Sequence, residues 1–221
     1  MPATHAQLKK RQRAERAGYP PNLALRVHRA LSWLDGADHL GAAGNLDGQF
    51  ICLWIAFNAA YATEIDERYR LSAQRTFQQF LEKLVGLDRA GRIEELVWTE
   101  FPGSIRVLLD NPYVSAEFWR WQRGELTETQ WKRSFGAAKR AATAALGKRD
   151  TARVLAIVLA RIYTLRNQLM HGGATWGSAV NREQLRDCTR LLAKLVPLVI
   201  ETMMDNPGTL WGDACYPVVD A

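Results

Sequence analysis

The residues best placed to do chemistry lie in "YTLRNQLMHGG" at 163–173, where Arg166, Asn167 and His171 end an otherwise apolar run and two glycines follow. Read as helix, the stretch puts Asn167 and His171 four apart and therefore on one face. Arg166 precedes His171 by five positions, roughly 140° around the axis and about 7.5 Å along it, a gap that a long arginine side chain can close. Arginine with histidine suits phosphodiester chemistry. An imidazole can take a proton from a nucleophile or give one to a leaving group near neutral pH. A guanidinium can hold two phosphate oxygens and stabilise the charge that grows at phosphorus. RNA supplies its own nucleophile, the 2′-hydroxyl, so this reaction calls for no metal and no cofactor, and DNA should resist it. The glycines let backbone approach closely and leave His171 uncrowded. The same residue types also suit a plain helix C-terminus, where basic groups and glycine satisfy the last carbonyls.

The elements that must position these groups read as helices throughout. Residues 150–171 form a long helix started by Asp150 or Thr151 and stopped by Gly172 and Gly173, with Leu155, Val158 or Leu159, Ile162, Leu165 and Leu169 as its apolar stripe. Residues 181–204 form the last helix, facing Leu185, Cys188, Leu192, Leu195 and Val199 inward, with Pro197 expected to kink it. Upstream, 22–35 reads as a helix capped by Asn22 with Leu23, Val27, Ala30, Leu31 and Leu34 inside, followed by a loop at 41–45. Residues 46–68 read as an apolar helix that turns polar at its end, and 72–90 as another built on Phe77, Phe80, Leu81, Leu84 and Leu87. Helical stretches at 92–110 (interrupted at Pro102–Gly103), 115–123 and 127–146 complete the chain, the last opened by Thr127 and Gln130 as a capping box. No alternating pattern long enough for a strand occurs, and there is no internal repeat. The fold class is all-α, a helical bundle. Its expected parts are a basic segment at 1–21, a helical domain at 22–205 with an inserted or flanking region at about 91–147, and an irregular tail at 206–221.

"RNQLMH" at 166–171, within "IYTLRNQLMHGG" at 162–173, resembles the R-x4-H motif of the HEPN superfamily, in the form seen in bacterial Apea-like HEPN domains. "WIAFNAAYATE" at 54–64 resembles an earlier helix of such bundles, with Asn58 as its buried polar position. The resemblance covers 22–90 and 150–205, and its sharpest part is six residues long. It implies a metal-independent endoribonuclease that works as a homodimer, pairs two motifs in one cleft, and leaves a 2′,3′-cyclic phosphate and a 5′-hydroxyl. In that scheme Arg166 orients or stabilises the phosphate, Asn167 positions it, and His171 is the general base or acid. The resemblance equally implies an alternative, because HEPN domains also occur as catalytically silent modules that bind RNA or a partner protein, among them toxins held by a nucleotidyltransferase antitoxin.

The bulk numbers agree with a reduced, cytoplasmic protein. With 48% hydrophobic and 24% charged residues there is ample material for a core. A formal charge of +6 favours anionic partners, nucleic acid first, and much of the excess lies in "KKRQRAER" at 9–16, which also reads as a solvated N-terminal helix. Three cysteines (Cys52, Cys188, Cys215) form no CxxC pair and make a poor disulfide framework; Cys52 and Cys188 read as small core residues. The longest apolar run, 50–62, is too short to span a bilayer, and the first residues have no signal-peptide pattern. A second candidate, "EFWRWQRGELTETQWKRSF" at 117–135, sets Arg120, Arg123, Lys132 and Arg133 among Phe118, Trp119, Trp121 and Trp131, as a surface that stacks bases and grips phosphates would. Mutual burial of the rings, with the cations solvated, is the preferred account of it. "HGGATWGS" at 171–178 lacks the lysine and the preceding strand of a phosphate loop. His5, His28 and His39 stand at no metal-binding spacing, and Glu64, Asp66 and Glu67 read as a solvated face. In the tail, Trp211, Tyr216 and Val218 are expected to pack back on the bundle.

Overall fold

The helix that carries the motif, α9 (Thr151–Met170), starts where Asp150 accepts a hydrogen bond from the Arg153 amide at 3.0 Å. Its stripe is buried as the 3.6-residue period demands: Leu155, Val158, Leu159, Ile162 and Leu165 are each 3% exposed or less. The computed structural model describes residues 2–61, 70–179 and 181–214, and within them every regular element is helical. The expected positions Glu64, Asp66, Glu67, Cys215, Tyr216 and Val218 lie outside the described residues.

Two layers share the core. In the first, α2 (Pro21–Ala42) and α3 (Leu46–Tyr61) form a tight hairpin, and α10 (Arg182–Asp205) packs on α3. Leu23, Val27, Leu31 and Leu34 of α2 meet Phe50, Leu53 and Phe57 of α3 and Leu192, Leu195, Val199 and Met203 of α10 in one apolar cluster. Burying each such side chain contributes about 1.5–3 kcal/mol, which is what fixes these helices against one another. In the second layer α9 packs against α4 (Arg70–Leu87), α6 (Pro102–Asp110) and α8 (Glu128–Gly147). Pro197 lies buried inside α10, which is one helix from Arg182 to Asp205.

The region 91–147 is woven into this core. Its elements are α5 (Arg92–Glu95), a π-helical turn at Leu96–Glu100, α6, a 3-10 turn at Pro112–Val114, α7 (Ala116–Gln122) and α8. Ile93, Leu96, Val97, Ile105 and Val114 are each at most 1% exposed in the common cluster, and the Trp98 indole N–H donates to Thr151 Oγ1 at 2.8 Å beside the start of α9. The break expected at Pro102 is present, with Pro102 at the first position of α6. The capping box of α8 is complete: Thr127 accepts from the Gln130 amide, and Gln130 accepts from the Thr127 amide at 2.7 Å.

Three expectations are corrected. Asn22 does not cap α2; Pro20 stands at the cap and Pro21 opens the helix. Asn22 instead ties down the tail, donating to Asp213 Oδ1 at 2.6 Å. α2 runs on to Ala42, beyond the apolar pattern, so the loop shortens to 43–45. The basic segment is not a free helix, because α1 (His5–Glu15) buries Leu8 and Gln12 against the bundle, and Arg11 bonds Asp205 of α10 at 2.6 Å. The described part of the tail does pack back: Trp211 is 6% exposed and stands edge-on to Phe80 at 6.1 Å. Cys52 and Cys188 are buried free thiols, and burial pushes Cys188 up to about 12.

Candidate functional site

The C-terminus of α9 closes with a full glycine cap. His171 is the cap residue, and its amide donates to the Asn167 carbonyl at 3.0 Å. Gly172 takes φ +72°, a left-handed conformation that strains any residue with a Cβ. The Gly172 amide then reaches Leu169 O at 3.3 Å, and the Gly173 amide reaches Gln168 O at 2.7 Å. A Cβ on Gly173 would sit 3.1 Å from that same Gln168 oxygen. Both glycines are therefore accounted for by the helix end alone.

The side chains are another matter. Arg166 is half-buried and its Nη1 donates to Asn167 Oδ1 at 3.0 Å. No carboxylate among the described residues pairs with this guanidinium. Adjacent helix positions do not face each other, so the contact needs the arginine to swing along the surface, as its length allows. His171 is exposed, and its ring makes no hydrogen bond or ion pair with any described residue. Arg166 and Asn167 are thus brought together, while His171 stands on the turn one helical step beyond them. Tyr163 and Met170 lie on the same side of α9 at seven-residue spacing, 50% and 49% exposed, and Trp176 in the following loop is 74% exposed.

That loop is held by a residue the sequence reading did not single out. Asp47, in the first turn of α3, is buried with 7% exposure. It accepts from the Gly177 amide at 3.1 Å and from Arg182 Nη1 at 2.8 and 2.9 Å. An aspartate opening an otherwise apolar helix was the available signal, since such a carboxylate needs a partner. Asn58 is half-buried, not buried. On the opposite side of α9, Gln168 Nε2 donates to Tyr113 O at 2.6 Å and joins the motif helix to the 112–114 turn.

The second candidate surface is built differently from a stacking groove. Phe118 sits edge-on to Trp121 at 5.6 Å and to Trp131 at 5.4 Å, and Trp121 stacks on Trp131 at 5.4 Å with 18° between planes. The rings satisfy one another as a satellite cluster between α7 and α8. Arg120 and Arg123 both bond Glu125, at 3.1 and 2.6 Å, and hold its carboxyl below the usual range. Lys132 pairs with Glu128 at 2.6 Å. Arg133 is exposed and pairs with no described carboxylate. The cation that does meet an aromatic face here is Arg161 of α9, 5.2 Å from the Phe135 centroid and 7% exposed; burial lowers its pKa.

A pocket between α6 and α10, floored by Cys188 and rimmed by Glu183 and Asp187, touches none of the motif residues. Among the described residues, no helix is long and apolar enough to cross a membrane. Comparison of the chain with protein-family models, with curated proteins and with solved structures returns no match in any of the three.

Proposed function

We propose that the chain is a metal-independent endoribonuclease of the HEPN kind, acting on RNA at a cleft between two copies in the cytoplasm. The observation that carries this reading is Arg166: a half-buried guanidinium at the end of α9, tied to Asn167 and to no described carboxylate, followed on the next turn by an exposed histidine with no partner among the described residues. A half-buried cation that no described carboxylate meets is suited to an anion from outside. In the reaction the 2′-hydroxyl gives its proton to one imidazole and attacks phosphorus. The bond from phosphorus to the 5′-oxygen breaks, and that oxygen takes a proton from a second imidazole. Cyclic phosphate and 5′-hydroxyl result, and no external water or oxidant enters. One histidine per chain serves only one of the two transfers, which is the reason for a pair of chains. Arg166 bears the charge on the non-bridging oxygens, and Asn167, through its 3.0 Å bond, orients the guanidinium.

One observation favours a second reading, a silent module that binds RNA or a partner protein such as an antitoxin. Tyr163, Met170 and Trp176 leave large apolar surface around the motif, the composition of a protein-docking patch. The discriminating experiment is cleavage of single-stranded and hairpin RNAs in excess EDTA by wild type, Arg166→Ala and His171→Ala. The nuclease reading expects wild-type cleavage with cyclic phosphate ends, falling about 10²–10⁴-fold without His171. No cleavage by folded, dimeric wild type would transfer the weight to the silent module.

A further inference from the structure

The net charge of the chain has one address. Residues 1–34 hold seven of the 29 basic residues and, in Glu15, one of the 23 acidic ones, which amounts to the whole +6. The other 187 residues balance at 22 basic and 22 acidic. Within that basic stretch Arg26 is buried, and Arg11 is engaged by Glu15 at 2.9 Å and Asp205 at 2.6 Å. Glu15 in turn accepts from Tyr19 at 2.6 Å, so the lone carboxylate is spent on the inner side of α1.

Arg29 lies on α2 and makes contacts of its own, which leaves Lys9, Lys10, Arg13 and Arg16, and no described carboxylate pairs with any of these four. Arg16 continues the helical path, at φ −57° and ψ −27°. At 100° per residue the four cations fall within roughly 120° of arc, and Lys9 and Arg16 stand about 10.5 Å apart along the axis. Ala6 and Ala17 share that arc and Ala14 borders it, so nothing bulky or acidic separates the charges. Leu8 and Gln12 point the other way and are 1% and 3% exposed. The stripe is therefore mounted on a docked helix, held in a fixed direction by buried contacts.

We infer that the outer face of α1 is a docking surface for the phosphate backbone of a nucleic acid strand. A row of unpaired cations on small-residue ground fits a linear polyanion, which gains by releasing its condensed counterions. An anionic membrane is the poorer fit. An interfacial helix needs large apolar residues to insert beside its cations, and here the one large apolar side chain of α1, Leu8, is buried in the protein. The one ring on this side of α1, the His5 imidazole, is mostly covered and engaged by Asp35 at 3.2 Å, and the stripe itself carries no amide side chain, so its binding is expected to be independent of sequence. The inference stands apart from the α9 site and holds whether or not Arg166 and His171 cut RNA.

The test uses the full chain and a fluorescent 2′-O-methyl oligouridine of about twenty nucleotides, which cannot be cut through a 2′-hydroxyl. Four single-strand phosphate contacts predict a slope of log K against log salt near −2.8, or about a 50-fold loss of affinity between 50 and 200 mM salt. Replacing Lys9, Lys10, Arg13 and Arg16 with Gln should remove about that slope. A control with Arg89, Arg106, Arg140 and Lys148 replaced by Gln makes the same change in net charge and should retain it. Equal affinity and slope in the α1 variant would overturn the inference. So would equal losses in the control, absence of wild-type binding at the lower salt, or binding of wild type to phosphatidylserine vesicles in place of the oligonucleotide.

Discussion

Replacing Asp47 with Ala tests whether the loop after the motif is held as described. The carboxylate side chain is 9% exposed and meets Arg182 Nη1 with both oxygens, at 2.8 and 2.9 Å, while Arg182 itself is 27% exposed. Breaking a fully buried pair by removing one partner costs about 3–5 kcal/mol. Arg182 can rehydrate through its exposed quarter, which lowers that figure. The Gly177 amide, 3.1 Å from Asp47, also loses its acceptor, worth about 1 kcal/mol. The expected loss is about 2–3 kcal/mol. With a urea slope of roughly 2–3 kcal/mol per molar, the midpoint should fall by about 1 M. Asp47→Asn keeps an acceptor for the amide but loses the charge, and should fall between. Amide exchange at Gly177 should quicken in both variants, because the change begins in the loop. A loss under about 0.5 kcal/mol in the alanine variant, with Gly177 exchange unaltered, would refute the clamp and leave the loop position to the helix cap alone.

Arg26→Met should cost about 2–4 kcal/mol, since a guanidinium 1% exposed donates to Ala60 O at 3.0 Å, to Gly212 O at 3.2 Å and to Asp213 O, and its loss strands those carbonyls; limited proteolysis should then cut at 206–214 faster than in wild type. The Glu15 carboxyl is held below its usual range by hydrogen bonds from Arg11 and Tyr19, so its stabilising share is present above the unfolded pKa of about 4.3 and is lost as pH falls through the lower folded value. Glu15→Gln should lose the wild-type advantage at neutral pH and show a shallower fall of stability below about pH 4, measured by urea melts across that window. Cys188, 1% exposed with its thiol pushed up to about 12, should resist a thiol reagent at neutral pH in the native protein and react once it is unfolded in urea. Gly172→Ala should cost about 1–2 kcal/mol, because its φ of +72° strains an L side chain; a neutral effect in thermal melts would show that this turn is not held in the left-handed region.

Periodicity made the helices legible because burial and the 3.6-residue period are the same fact seen twice. Leu155, Ile162, Leu185 and Leu192 could be placed inward from spacing alone, and each is 4% exposed or less. Local chemistry was legible for a similar reason: Thr127 with Gln130, and Asp150 before Arg153, act within one turn. Contacts between distant residues were not legible. Asp47 and Arg182 are separated by 135 positions, and Arg26 finds its acceptors 34, 186 and 187 positions away. Asn22 shows how such a contact misleads, because its side chain suits a cap and is claimed by Asp213, 191 positions later. The 117–135 segment divided as its chemistry would predict. Its rings pack on each other, and three of its four cations find carboxylates within five residues.

The motif raises a question that the helix cap only half answers. Backbone demands explain two glycines in succession, since Gly172 must be left-handed and Gly173 must approach Gln168 O closely. They also explain a polar residue at 171, where the chain leaves the core. They do not explain why position 166, half-buried one turn earlier, holds an arginine whose one described partner is Asn167, when Arg11, Arg92 and Arg182 at comparable depth each find a carboxylate and the deeper Arg161 finds the Phe135 ring. A structural arginine gains its stability from its partner, and an arginine without one adds desolvation cost and little else. The capping account therefore covers the backbone of 171–173 and stops there. Among the described residues neither the guanidinium of Arg166 nor the ring of His171 meets a carboxylate at this helix end, and an external phosphate is the anion that the proposed function would bring to them.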